Sequence, residues 1–236
     1  MIQTILWDVD NTLLDFNASE RAALRTLFAE FALGECSEAM LARYSVINAG
    51  FWQRLERGEL CKAEILPGRF AQFFAEYGID PGLAGAFNER YQLAIADTVV
   101  FRDKSLELVK SLRGRVRQYA VSNGTVAAQT RKLERSGLDR LLDGVFLSEQ
   151  LGVEKPNPAF FDKLFAQIGP EARSTALIVG DSLTSDMQGG LNAGIKTCWY
   201  NPQGKPLPAA YPVDFVISDL WEILTVLPPR RMVGRS

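Results

Sequence analysis

Six short apolar runs, each breaking off at polar or acidic residues, set the rhythm of this chain: Ile2–Trp7, Arg117–Ser122, Gly144–Leu147, Thr175–Gly180, Lys196–Tyr200 and Asp214–Ile217. Their length and their bounds predict buried strands. From the second run onward, helix-period patterns lie between most of them, including Val126–Ser136, Pro158–Ile168 and Ser185–Ala193. Strand alternating with helix predicts an α/β protein, its parallel sheet covered on both faces in doubly wound fashion. Gly137, Gly169 and Gly194 each fall just past a helical stretch, where a left-handed cap is wanted.

The rhythm is interrupted once. From about residue 15 to about 98 the apolar positions recur at helical spacing, as in Ala22, Leu24, Leu27, Phe28 and Phe31, then Phe70, Phe73 and Phe74. Gly58, Pro67-Gly68, Gly78 and Pro81-Gly82 punctuate this stretch. Some 80 residues is far more than a crossover helix needs, so the segment is expected to be an inserted all-helical subdomain. The division predicted is therefore 1–14 with 99–227 as the α/β core, 15–98 as the helical insert, and 228–236 as a flexible tail.

Composition narrows the chemistry. The formal net charge of −2 gives no general attraction to nucleic acid polymers or anionic membranes, so any phosphate site must be local. Histidine is absent, which removes Ser-His-Asp and Cys-His catalysis and His-ligated metals. Cys36, Cys61 and Cys198 are far apart and odd in number, which suggests neither a zinc site nor a disulfide framework. A reducing, cytoplasmic setting is expected: no basic stretch precedes the first strand and no apolar run is long enough to span a bilayer.

What remains for chemistry gathers at four strand ends. The first run gives out at Asp8-Val9-Asp10-Asn11-Thr12, the second at Ser122-Asn123-Gly124. After the third comes Glu154-Lys155-Pro156, and the fourth ends Gly180-Asp181-Ser182 with Asp186 five residues beyond Asp181. Parallel strands bring all these ends to one edge of the sheet, where ligands bind in open α/β folds. Each piece alone has a plain explanation: a turn, a helix cap, a solvated lysine. Their conjunction, in order and at strand ends, points to one cavity. A carboxylate nucleophile repels a dianionic phosphate monoester, so a divalent cation must bridge them, and hard oxygen ligands suit Mg2+. Asp8, Asp181 and a backbone carbonyl can hold it. Ser122, the amides near Asn123, and Lys155 can hold the other phosphoryl oxygens.

These motifs resemble those of the haloacid dehalogenase-like (HAD) superfamily. Asp8-Val9-Asp10-Asn11-Thr12 matches its first motif, Ser122 the second, Lys155 the third, and Gly180-Asp181-Ser182 through Asp186 the fourth. The likeness spans residues 1 to 227. One departure is Asn11, where the common motif has Gly; Asn tolerates the unusual backbone angles required. The resemblance implies a Rossmann-like core, with the insert as a C1 cap that closes over the catalytic edge. It also implies roles for the residues. Asp8 attacks phosphorus to form an aspartyl-phosphate, and Asp10 protonates the leaving alkoxide and then activates water. Asp8, Asp10 through its carbonyl, and Asp181 ligate magnesium, with Asp186 a further ligand or a support for one. Ser122 and Lys155 bind the phosphoryl group. Trp7 to Phe16, Gly58 to Phe70, and Gly180 on to Pro202 are similar to a narrower branch, pyrimidine 5′-nucleotidases acting on ordinary and noncanonical nucleoside monophosphates.

Three rivals share the fold. A dehalogenase needs neither magnesium nor a second acid in the first motif, so Asp10 and Asp181 argue against it. A mutase or phosphatase for sugar phosphates shares every motif. A catalytically silent binding protein need not keep the full acid set. Trp52, Arg57, Lys62 and Arg69 can face the substrate, although taken singly the aromatic reads as cap core and the cations as solvated. The expected partner is a small phosphorylated metabolite, a nucleoside monophosphate above others.

Overall fold

A computed structural model describes residues 1–228. The tail expected over 228–236 falls, beyond Pro228, outside the described residues. The chain divides into two compact units: Met1–Leu14, Phe101–Asn123 and Gly137 onward form one, and Asp15–Val100 with Gly124–Ser136 form the other.

The first unit is built on six strands: β1 (Thr4–Trp7), β2 (Arg117–Ser122), β3 (Gly144–Leu147), β4 (Ala176–Gly180), β5 (Lys196–Tyr200) and β6 (Phe215–Ile217). They form one sheet in the order β3-β2-β1-β4-β5-β6, every neighbouring pair parallel. The chain lays β2 and β3 on one side of β1 and then crosses to lay β4, β5 and β6 on the other, so the order reverses beside β1, and the space outside its carboxyl end is the natural ligand position. All four residues of β1 and all five of β4 are buried. Such continuous apolar runs are what a sheet covered on both faces requires. Phe160, Phe161, Leu164 and Phe165, from one helix, pack with Leu6, Val121 and Ile178 of the strands.

In chain order the helices are α1 (Phe16–Glu30), α2 (Glu38–Glu56), α3 (Lys62–Glu76), α4 (Ala84–Ala94), α5 (Ser105–Leu112), α6 (Val126–Ser136), α7 (Ser148–Leu151), α8 (Pro158–Ile168), α9 (Gln188–Ala193) and α10 (Ile223–Val226). Helices α1 to α4 and α6 make up the second unit. Its core is aromatic: Phe28, Tyr44, Phe70, Phe73, Phe74, Phe87 and Tyr91 are all at most 1% exposed. Phe70 alone has ring centroids within 5.0 Å from Tyr44, Phe87 and Tyr91. Residues 99–227 are not all in the α/β unit, as the sequence reading has them: α6 groups with the helical unit. The cause is its packing. Ala128 joins the aromatic core, and Arg131 Nη2 meets Asp97 Oδ1 at 2.6 Å.

Two further local expectations are corrected. Gly137 and Gly194 are left-handed, with φ of 72° and 65°, but Gly169 has φ 105° and ψ 126°. It precedes Pro170, which drives the residue before it toward extended ψ. The helix expected from Ser185 begins instead as a π-helical turn, Leu183–Met187, that runs into α9.

Candidate active site

The site starts where β1 stops. Asp8 N donates to Val179 O at 2.9 Å, continuing the ladder to β4 by one residue and fixing the carboxylate at the strand end. The chain then turns sharply. Asn11 takes φ 60°, a conformation that Asn adopts more readily than other residues with a side chain. Asn11 N donates to Leu14 O at 2.7 Å and Leu14 N to Val9 O at 2.9 Å, which closes the loop. Asp10 lies within it, half-buried.

Lys155 is the hub. Its side chain is 1% exposed, and its ammonium donates to Asp8 Oδ1 at 2.9 Å, Asp186 Oδ1 at 2.6 Å and Val121 O at 3.1 Å. Three donors thus meet three acceptors. The backbone of Lys155 is held as firmly: Asn123 Nδ2 donates to Lys155 O and Lys155 N donates to Asn123 Oδ1, both at 2.8 Å. The Asn123 carboxamide is therefore committed to positioning Lys155. Ser122, buried at the end of β2, adjoins the Val121 carbonyl that Lys155 reaches.

The end of β4 supplies the remaining acids. Asp181 N donates to the buried Thr12 Oγ1 at 3.1 Å, and Asp181 O accepts from Trp199 Nε1 at 2.9 Å. Asp186 rides on the π-helical turn, and its Oδ2 accepts from Ser182 N at 3.2 Å. A Cβ at Gly180 would come within 2.2 Å of that same Oδ2, so only glycine lets the carboxylate lie against the strand end. Carboxylate oxygens of Asp8, Asp181 and Asp186 all lie within 4.8 Å of one another.

So close a gathering of acids is electrostatically unbalanced. Burial pushes the Asp8 carboxyl well above the ordinary range, Asp186 adds to this, Lys155 opposes it, and Asp181 and Asp10 raise it further. Asp181 is pushed up to about 7, by burial first and then by Asp186, with Lys155 again opposing. Burial works against the charge on Lys155, yet Asp186 and Asp8 together hold its pKa above the usual value. One ammonium does not neutralise this cluster. A small divalent cation would, and a set made only of carboxylate oxygens is the hard donor set that suits Mg2+. The residues present fit that ion.

A family model described as haloacid dehalogenase-like hydrolase matches residues 2–194. The chain belongs to that family. Among relatives of these hydrolases, the pyrimidine 5′-nucleotidase PynA of Streptococcus pneumoniae is 39% identical over 200 residues, covering 84% of this chain and 83% of PynA. The pyrimidine 5′-nucleotidase YjjG of Escherichia coli is 30% identical, covering 94% of this chain and 96% of YjjG. The HAD hydrolase YfnB of Bacillus subtilis is 34% identical; its crystal structure, bound to magnesium, superposes with a TM-score of 0.88 and covers 96% of this chain and 98% of that one. Among the described residues no helix is long and apolar enough to cross a membrane.

The structure thus brings Asp8, Lys155, Asp181 and Asp186 together at one sheet edge, with Asp10, Ser122 and Asn123 adjoining them in the same loops. Sequence reasoning gives no role to Thr12, which anchors Asp181. A polar residue four positions past Asp8 and buried in the same loop is the signal for it. Of the residues considered for substrate contact, Arg57 is exposed and ion-paired with Glu59, as a solvated cation would be. Lys62 and Trp52 are half-buried. Arg69 is not solvated: it is 1% exposed, its guanidinium set against the rings of Phe70 and Tyr91.

Proposed function

We propose that this hydrolase is a magnesium-dependent nucleoside 5′-monophosphate phosphohydrolase that prefers pyrimidines, working through an aspartyl-phosphate in the cytoplasm. The observation that carries the phosphatase reading is the buried Lys155 ammonium held between Asp8 and Asp186, with Asp181 beside them. A cluster of like charges at the end of β1 has a purpose when its surplus is matched by a cation and its lysine receives a phosphoryl oxygen. The pyrimidine preference is supported by the likeness to PynA and YjjG.

Asp8, Asp181, Asp186 and the loop of Asp10 would hold the ion, which would lower the charge repulsion between nucleophile and substrate. Asp8 attacks phosphorus, and the bond from phosphorus to the 5′-oxygen breaks. Asp10, as the acid, gives its proton to that departing oxygen. Asp10, now a carboxylate, takes a proton from water as the water oxygen attacks phosphorus. The acyl-phosphate bond then breaks to free inorganic phosphate and restore Asp8. Lys155, Ser122 and the backbone amide of Asn123 bind the phosphoryl oxygens as charge shifts onto them.

The test is kcat/KM for UMP, dUMP and dTMP against purine monophosphates and hexose phosphates at one magnesium concentration. The expected outcome is a pyrimidine nucleotide in first place. A hexose phosphate ahead by tenfold, about 1.4 kcal/mol of transition-state preference, would overturn the nucleotidase assignment and leave the phosphatase chemistry intact.

A further inference from the structure

Asp181 stands one residue beyond β4, so the ladder that aligns Ala176–Gly180 with β5 no longer fixes it. Among the described residues its peptide groups are held by two side chains instead. Its N–H donates to Thr12 Oγ1 at 3.1 Å, and its carbonyl accepts from Trp199 Nε1 at 2.9 Å. Trp199 lies on β5 in register with Gly180 and is 3% exposed. An indole has one donor and no acceptor, and a buried indole needs a partner for it. Here that single N–H is given to the backbone of a carboxylate in the acid cluster. The ring belongs to the apolar cluster that includes Met187, with Leu183 packed against it. Both of these stand on the turn that carries Asp186. Packing requires only an apolar ring; the N–H is the part of Trp199 that packing does not use. All of these residues belong to the unit built on the sheet.

The tie acts against a force that is present in the same place. Carboxylate oxygens of Asp8, Asp181 and Asp186 lie within 4.8 Å of one another, and like charges at that range repel. Repulsion favours any motion that carries Asp181 away from the other two. With its peptide bonded on both sides of Cα, Asp181 can respond only through its own side-chain torsions. A cation then meets carboxylates already gathered, and little ordering has to be supplied at the moment of binding. With the carbonyl released, the loop would relax outward, and each binding event would have to draw it back.

Resting on the magnesium-dependent reading, we propose that Trp199 is a positioning residue that sets the affinity for Mg2+: its indole N–H holds the backbone of Asp181 so that the carboxylate stays beside Asp8 and Asp186. Trp199 acts through Asp181 and not on the ion or the substrate. Partners that orient a metal ligand from outside the coordination sphere typically change affinity or activity by about 10- to 100-fold when removed. The effect of losing this N–H therefore falls on the magnesium requirement before it falls on the chemical step.

The experiment titrates magnesium into the chelated full-length parent and into Trp199→Phe. Phenylalanine keeps an apolar ring and removes the donor. Two curves are read: the melting temperature without substrate, and the initial rate on p-nitrophenyl phosphate, which makes the result independent of any base preference. The expected result is a magnesium midpoint about tenfold higher in both curves, with a smaller loss of rate at saturating magnesium than at the parent's half-saturating concentration. Trp199→Met is the second variant, for the case in which Trp199→Phe does not fold. Its flexible apolar chain fills irregular space and also lacks the donor, and the same shift of midpoint is expected. A variant that melts lower in chelator yet keeps the parent midpoint within twofold marks Trp199 as a packing residue and overturns this inference, while the magnesium reading stands. A parent whose rate and melting temperature both ignore magnesium overturns the magnesium reading, and this inference with it.

Discussion

At the scale of the residue, small changes of charge or volume carry the largest expected effects. Asp8→Asn keeps the shape and removes the nucleophilic carboxylate, so turnover should vanish while the circular dichroism spectrum is preserved. Asp10→Asn should lose about 10²-fold or more, since an amide cannot pass the proton, and both formation and hydrolysis of the phosphoenzyme should slow in rapid-quench traces. Normal steady-state activity in a contamination-free Asp8→Asn preparation would exclude the covalent route. Gly180→Ala is the volume counterpart. Its Cβ would meet Asp186 Oδ2 at 2.2 Å, forcing that carboxylate off its bond to Lys155. Overpacking of this kind typically costs about 1–3 kcal/mol, and kcat/KM should drop about tenfold or more. A variant with parent activity and parent midpoint in urea would mean that Asp186 can move without consequence. Asp8, Lys155, Asp181 and Asp186 were legible because each closes or follows an apolar run, and strand ends in a parallel sheet converge. Arg69 was not, because nothing in a single sequence tells an arginine bonded to two carboxamides from one in water. The partners Asn48 and Asn88 are 21 and 19 residues away on other helices.

At the scale of the element, apolar runs located strands to within two residues. Ile2–Trp7 begins at Thr4 and Asp214–Ile217 at Phe215. Runs of that kind need no partner to be recognised. Short or irregular helices escaped because their cause is local bonding. The turn at Leu183–Met187 is set by Ser182, whose carbonyl accepts from both Asp186 N and Met187 N at 3.1 Å and whose hydroxyl accepts from Ser185 N at 3.1 Å. Helix α5 went unread for its brevity, eight residues. In the helical unit, Glu20 of α1 is 1% exposed and accepts from Ser45, Asn48 and Tyr91. Burial raises its pKa above the usual 4.5, against the lowering effect of these bonds and of Arg69. The folded protein then binds this proton more tightly than the unfolded chain does. The stability so gained is full below the unfolded value and is lost as pH rises through the folded one. The melting temperature of Glu20→Gln relative to the parent should therefore climb between pH 4.5 and pH 8 in scanning calorimetry. A difference that falls with pH would contradict the burial assignment.

For the molecule as a whole, a metal held by the acid cluster at the sheet edge would link ion binding to stability. A ligand that binds only the folded form adds about 2.7 kcal/mol at a hundredfold excess over its Kd. Chelation should abolish phosphatase activity and lower the melting temperature together, and magnesium should restore both. Full turnover in the chelated protein would remove the metal from the scheme. The six-strand sheet also has a temporal side. Its middle strand, β1, leaves a ribosome before the other five strands of the sheet, and its partners begin only at Arg117 and Ala176. At roughly 5–20 residues per second, the nascent chain carries that apolar strand without either neighbour for several seconds or longer. The carboxylate at its end gains its Val179 anchor only after Val179 itself has been made. Synthesis halted before β4 therefore yields an exposed sticky strand and no enzyme, which gives translation speed and chaperone supply a direct hold on how much active protein a cell obtains.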